Sequence, residues 1–308
     1  MASLTSLNFT GRDIFFEPIL HHYSEIRPLG SLASLSLVDV VRQGNATGPY
    51  IWSTSALSTL TALHLCKVGK RMSPSMDELV TMLANTQALH TLRLEFTEFT
   101  TGPDRNYPEV SLLHLRRLHL NTLDDDTLAI IASVLTPGPQ ELDVQLWLGG
   151  LASSKSHAAV LSFLKRTTIT CLSLRCGPPD GIVQLAEQLS CVPGLRMLEL
   201  ERHSSYDSQW TNLSALILPN TRDEFSARCP NLRLLWMNGG YVDSGTFTRL
   251  KQTVACHSLG IIVFRGKHVG CLIEDEELVV GWLRQRVENV LLDPNRSFWP
   301  FIGRDWDI

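Results

Sequence analysis

The residues able to do chemistry are few and scattered. Asp124-Asp125-Asp126 carries the carboxylates of a cation site, but acidic residues directly before an apolar run are what a helix N-terminus favours. Gly260 and Gly266-Lys267 are placed like the glycines of a phosphate loop. Five residues separate them, however, and His268 stands where the magnesium-binding Ser or Thr belongs. The ten histidines form no His-Glu-x-x-His pair, and no serine sits in a Gly-x-Ser-x-Gly elbow. His21-His22 fits the solvated side of a helix. Cys171 and Cys176 straddle one strand pattern, so they cannot share a metal without distortion. The expectation is a chain with no catalytic residues, no metal and no cofactor.

Bulk composition agrees. The 308 residues include 31 acidic and 27 basic ones, for a net charge of −4, which gives no reason to expect nucleic acid or an anionic membrane as partner. Hydrophobic residues make up 44% and mean hydropathy is +0.03, as in a folded chain. Seven cysteines, an odd number with no Cys-x-x-Cys, and an opening Met1-Ala-Ser-Leu-Thr without a basic or apolar leader predict reduced thiols and a cytoplasmic or nuclear location. The sequons at Asn8, Asn45, Asn212 and Asn295 are then chance matches. No apolar run reaches the length of a transmembrane helix.

What must position any functional surface is a repeat. Leucine occurs 50 times, and much of it falls in Leu-x-x-Leu-x-Leu patterns. These begin at Leu4, Leu32, Leu60, Leu89, Leu115, Ile169, Leu195, Leu213, Leu232 and Leu259, with a further unit in Leu142–Leu148. Most spacings are 26 to 29 residues, within the leucine-rich-repeat range. Each pattern predicts a short strand whose leucines face a core while the residues between them face outward. Helical patterns lie between, at 77–84, 124–135, 158–165, 181–189 and 245–254. The predicted fold class is therefore α/β: a solenoid with parallel strands on its concave face and helices on its convex face. Residues 1–273 form this solenoid; residues 274–308 form a cap helix over 274–292 and an aromatic tail. The steps from Leu195 to Leu213 and from Leu213 to Leu232 are short, so either this region is compressed or one of these strands is irregular. With no polar cap before Leu4, the N-terminal edge is expected to be exposed, poorly ordered or covered by a partner.

Cys229-Pro-Asn-Leu232, Cys256-His-Ser-Leu259 and Cys191-Val-Pro-Gly-Leu195 each put a cysteine at a helix end just before a strand. Leu123-Asp-Asp-Asp-Thr-Leu128 and Val242-Asp-Ser-Gly-Thr-Phe247 sit at turns into helices. In these features the chain resembles the cysteine-containing leucine-rich repeats of F-box proteins, and its loose repeat lengths resemble those of the fungal F-box-like family. The resemblance covers nearly the whole chain. It departs from the pattern where the usual Asn is replaced by Thr97, Leu123, Gly177, His203 and Gly240, and no three-helix F-box is read before the first strand motif. The resemblance implies substrate recognition in a cullin–RING ubiquitin ligase, linked by an F-box to a Skp-type adaptor. Two other classes stay open: a repeat-type regulator such as a GTPase activator or ribonuclease inhibitor, and an enzyme, which would need converging acid, base or metal groups.

Stacking the repeats aligns the outward residues into columns. One reads Ser36, His64, Arg93, His119, Trp147, Ser173, Glu199, Ile217, Trp236, Val263; flanking columns add Arg117 and Leu234 on one side and Glu95, Arg175 and Glu201 on the other. The middle is polar and mixed in charge; the C-terminal part is apolar. Either the tail, with Phe298, Trp299, Phe301 and Trp306, folds over the apolar part, or a protein partner docks there. Arg93, Arg117, His119, Trp147, Arg175, Glu199 and Trp236 are the predicted partner-binding residues, Trp and Arg being enriched at interface hot spots.

Overall fold

The computed structural model describes residues 5–10, 32–40, 57–69, 72–102, 106–147, 154–176, 182–202, 210–219, 225–239, 241–265, 272–273 and 275–293. The chain is mixed α/β, with helices and a parallel sheet of eleven strands that does not close into a barrel. It divides into two compact units, one of residues 1–142, 151–167 and 308, the other of residues 143–150 and 168–307. No described helix is long and apolar enough to cross a membrane.

In the first unit, strands β1 (Ser6–Thr10), β2 (Ser34–Val38), β3 (Ala62–Cys66), β4 (Thr91–Glu95) and β5 (Arg117–Asn121) pair in that order. Leucine meets leucine across every step: Leu7, Leu35, Leu63, Leu92 and Leu118 are register partners, as are Phe9, Leu37, Leu65, Leu94 and Leu120. From β2 onward all of these are at most 3% exposed, and each buried Leu is worth about 2 kcal/mol. In β1, by contrast, Leu7 and Phe9 are only half-buried. Helices α1 (Met76–Asn85), α2 (Asp125–Val134) and α3 (Ser154–Lys165) belong to the same unit. Ser75 opens α1 with a reciprocal capping box to Glu78. Asp124 opens α2, accepting from the Thr127 amide at 2.9 Å, so the first of the three aspartates works as a helix cap.

The second unit holds β6 (Leu142–Trp147, counted with it from Asp143), β7 (Ile169–Cys176), β8 (Met197–Arg202), β9 (Leu234–Asn238), β10 (Ile261–Arg265) and β11 (Asn289–Asp293), again in chain order. Its inward ladder runs Leu172, Leu198, Leu235, Ile262, Val290. Helices α4 (Ile182–Ser190), α5 (Ser244–Cys256) and α6 (Glu276–Arg284) accompany it.

Two sequence expectations are corrected. Leu213–Leu218 is not a strand of the parallel sheet: Thr211–Leu216 is a 3-10 helix, and Ile217–Pro219 pairs antiparallel with Phe225–Ala227. The i, i+3 spacing of Leu213 and Leu216, both fully buried, suits a 3-10 turn as well as it suits Leu-x-x-Leu. Strand β8 then pairs directly with β9, and Ile217 leaves the predicted column. The C-terminal helix is also shorter than 274–292. It ends at Arg284, and Asn289–Asp293 adds to the sheet as β11, so that β10 is not left as an open edge.

Among the described residues, the same backbone turn closes five strands. The residue after each is left-handed: Asp39 (φ 57°), Lys67 (φ 50°), Phe96 (φ 47°), Thr122 (φ 52°) and Gly239 (φ 78°). Four of these donate their N–H to the last residue of the next strand: Asp39 to Cys66, Lys67 to Glu95, Phe96 to Asn121 and Gly239 to Arg265. The turn is thus part of the repeat, although no fixed residue type marks it. Thr122 is the costliest occupant, because a β-branched residue is strained there. Thr122→Asn keeps a polar side chain that tolerates this region and should stabilise the fold by about 1 kcal/mol, read as a higher urea midpoint.

Candidate interaction face

Opposite the leucines, the outward side chains of the first unit form three registered columns: Ser34–Ala62–Thr91–Arg117, Ser36–His64–Arg93–His119 and Cys66–Glu95–Asn121. Their centre is Glu95. Its carboxylate is 7% exposed and meets groups from its own strand and from β5: Arg93 Nη2 at 2.9 Å, His119 Nε2 at 2.5 Å and Asn121 Nδ2 at 3.2 Å. His64 Nε2 is 3.9 Å away, while its Nδ1 lies 3.2 Å from Ser36 Oγ. Burial works to raise the Glu95 pKa, but His119, His64 and Arg93 together hold it well below the usual carboxylate range. Cys66, beside Glu95 in register, has its thiol pushed up to about 12, mainly by burial and then by the Glu95 charge. Arg117 is half-buried, one residue pair away on the same side of β5 as His119.

In the second unit, Ser173, Glu199, Trp236 and Val263 are register neighbours. Met197, Leu234, Trp236 and Val263 pack as one buried cluster, none more than 7% exposed, with Cys171 and Ile261 against it. Arg265 stacks over the Trp236 ring at 5.7 Å. Glu199 is almost fully buried beside these groups, and burial raises its pKa to about 7. Its Oε2 has no hydrogen-bond partner among the described residues.

That arrangement sets a pH dependence. The unfolded chain gives up the Glu199 proton near pH 4.5 and the folded chain near 7, so the contribution of Glu199 to stability is full below about 4.5, falls between the two values and levels off above. Glu199→Gln should gain up to about 3 kcal/mol at pH 8 and nothing at pH 4, measured by urea unfolding at both.

Of the predicted partner-binding residues, Arg93, Arg117 and His119 come together on one side of the first unit, and Glu199 and Trp236 stand side by side in the second. Trp147 and Arg175 hold strand positions, with Arg175 the register partner of Glu201, but their side chains lie outside the described residues. So do His21-His22, Gly266–His268 and the tail over 294–308. The apolar part is buried rather than bare in Leu234, Trp236 and Val263. Sequence reasoning set Glu95 in a flanking column and did not single it out as the hub. The signal was present, since a carboxylate one column over from His64 and His119 on both neighbouring strands must meet them.

Away from this face, a pocket is lined by Tyr107, Glu109, Ser133, Lys155 and Arg166. Arg166 is already engaged, donating to the carbonyls of Ala132, Ser133 and Leu135 at the end of α2, so it works as a helix cap. Removing it as Arg166→Ala should cost about 2 kcal/mol in thermal or urea unfolding.

No protein-family model matches the chain, and no curated protein sequence matches it.

Proposed function

We propose that the chain is a leucine-rich-repeat solenoid, with strands on a concave face and helices on a convex one, that binds a protein partner and does no covalent chemistry. The observation that carries this reading is the register. Strands about 28 residues apart in sequence bring the partly exposed Arg93 and Arg117 onto one side of the sheet beside the buried His119, opposite a continuous leucine core. Such a surface selects by charge and shape, as protein interfaces do. In keeping with the resemblance to F-box repeat proteins, the partner class is a substrate of a cullin–RING ubiquitin ligase, with a Skp-type adaptor linking the two. Affinity purification from the native cell, followed by mass spectrometry, tests the class. Ubiquitin-ligase subunits among the captured proteins support it; capture of a small GTPase or a ribonuclease in their place overturns it.

A further inference from the structure

The cluster around Glu95 has a second chemical capacity. His64 and Cys66 are two apart on β3 and so point to the same side; Glu95 is the register partner of Cys66 on β4. One imidazole nitrogen, the thiol sulfur and one carboxylate oxygen of these three residues all lie within 4.8 Å of one another. Imidazole, thiolate and carboxylate are the ligand types of zinc-class sites, in which three protein ligands leave a fourth position to water or another group.

We propose that His64, Cys66 and Glu95 bind a divalent transition metal of the zinc class. Bonds of about 2.0 to 2.3 Å at tetrahedral angles put ligand atoms about 3.5 Å apart, so the group closes by about 1 Å on binding. His64, with 19% of its side chain exposed, has room to make that move. The outer supports are already present. Ser36 Oγ at 3.2 Å from His64 Nδ1 leaves Nε2 directed at Glu95, and His119 Nε2 and Asn121 Nδ2 both approach Glu95 Oε1, away from the Oε2 that faces His64. Arg93 occupies Glu95 Oε2 in the metal-free cluster and must turn aside, which its 24% exposed side chain can do. Binding replaces the Cys66 S–H bond with a sulfur–metal bond and releases the proton to solvent, while the ion sheds the corresponding waters. This site is independent of the partner-binding reading, and either stands if the other fails.

The test is titration of chelator-treated full-length protein with cobalt(II), followed by displacement with zinc(II). One equivalent of cobalt should bring a near-ultraviolet thiolate-to-cobalt charge-transfer band together with visible d–d bands, with zinc abolishing both. Cys66→Ser should remove the charge-transfer band, and His64→Asn should weaken cobalt binding at least about tenfold, each with an unchanged circular-dichroism spectrum. Cys171→Ser, in the second unit, should leave the titration unaltered. Absence of the charge-transfer band at stoichiometric cobalt, or its persistence in Cys66→Ser, overturns the proposal. If Cys66→Ser loses its fold, His64→Asn decides alone: full-strength cobalt binding in that variant has the same consequence.

Discussion

Glu95→Ala should lower the stability of the protein by about 3 kcal/mol at neutral pH. The loss does not come from the carboxylate's own packing. Removing it leaves Arg93, His64 and His119 facing one another with no anion between them, and His119 is 6% exposed in its side chain, so water cannot take the anion's place. The pH dependence has a definite sign. Because the folded pKa of Glu95 is depressed, its contribution is present above about pH 4.5 and is lost as pH falls below that value. Urea unfolding of the wild type should therefore show a loss on the acid side that Glu95→Ala lacks, and a separate loss toward neutral pH from Glu199 that both share.

Trp210→Ala should cost about 4 kcal/mol. Trp210 is fully buried at the start of the 3-10 segment, and its backbone N–H donates to Thr246 Oγ1 at 3.2 Å, which ties this segment to α5. The substitution tests the corrected element. If Leu213–Leu218 were a strand of the sheet, Trp210 would sit in the loop before it and its removal would be mild. As the anchor of a buried 3-10 turn, it leaves a cavity that the helix cannot collapse into. Differential scanning calorimetry of the variant reads the difference.

Most of the sheet was legible from leucine spacing alone. A parallel strand carries its register in the positions that must be buried, so the spacing of Leu63, Leu92 and Leu118 already makes them neighbours. Three features were not legible, each for a physical reason. Leu213 and Leu216 carry a spacing shared by strand repeats and 3-10 turns, and only the direct pairing of β8 with β9 decides between them. The stretch after Arg284 has an apolar rhythm that a helix could also bury, and the edge of β10 claims it as a strand. The left-handed turn after five of the described strands, held in four of them by a backbone hydrogen bond to the next strand, has Asp, Lys, Phe, Thr or Gly at its left-handed position. On the candidate face, Arg93, Arg117 and His119 were found from column alignment. The hub role of Glu95 depends on side chains of β3, β4 and β5 that converge at its carboxylate.

The most direct test of the binding-face reading is the affinity of the captured partner for wild-type protein and for Arg117→Glu, with folding of the variant checked by circular dichroism. Arg117 is half-buried on the shared side of the sheet, so reversing its charge should alter the surface more than the core. A loss of at least about thirtyfold is expected, the mark of an interface hot spot. An affinity equal to the wild type's would contradict it and place the binding surface elsewhere on the chain.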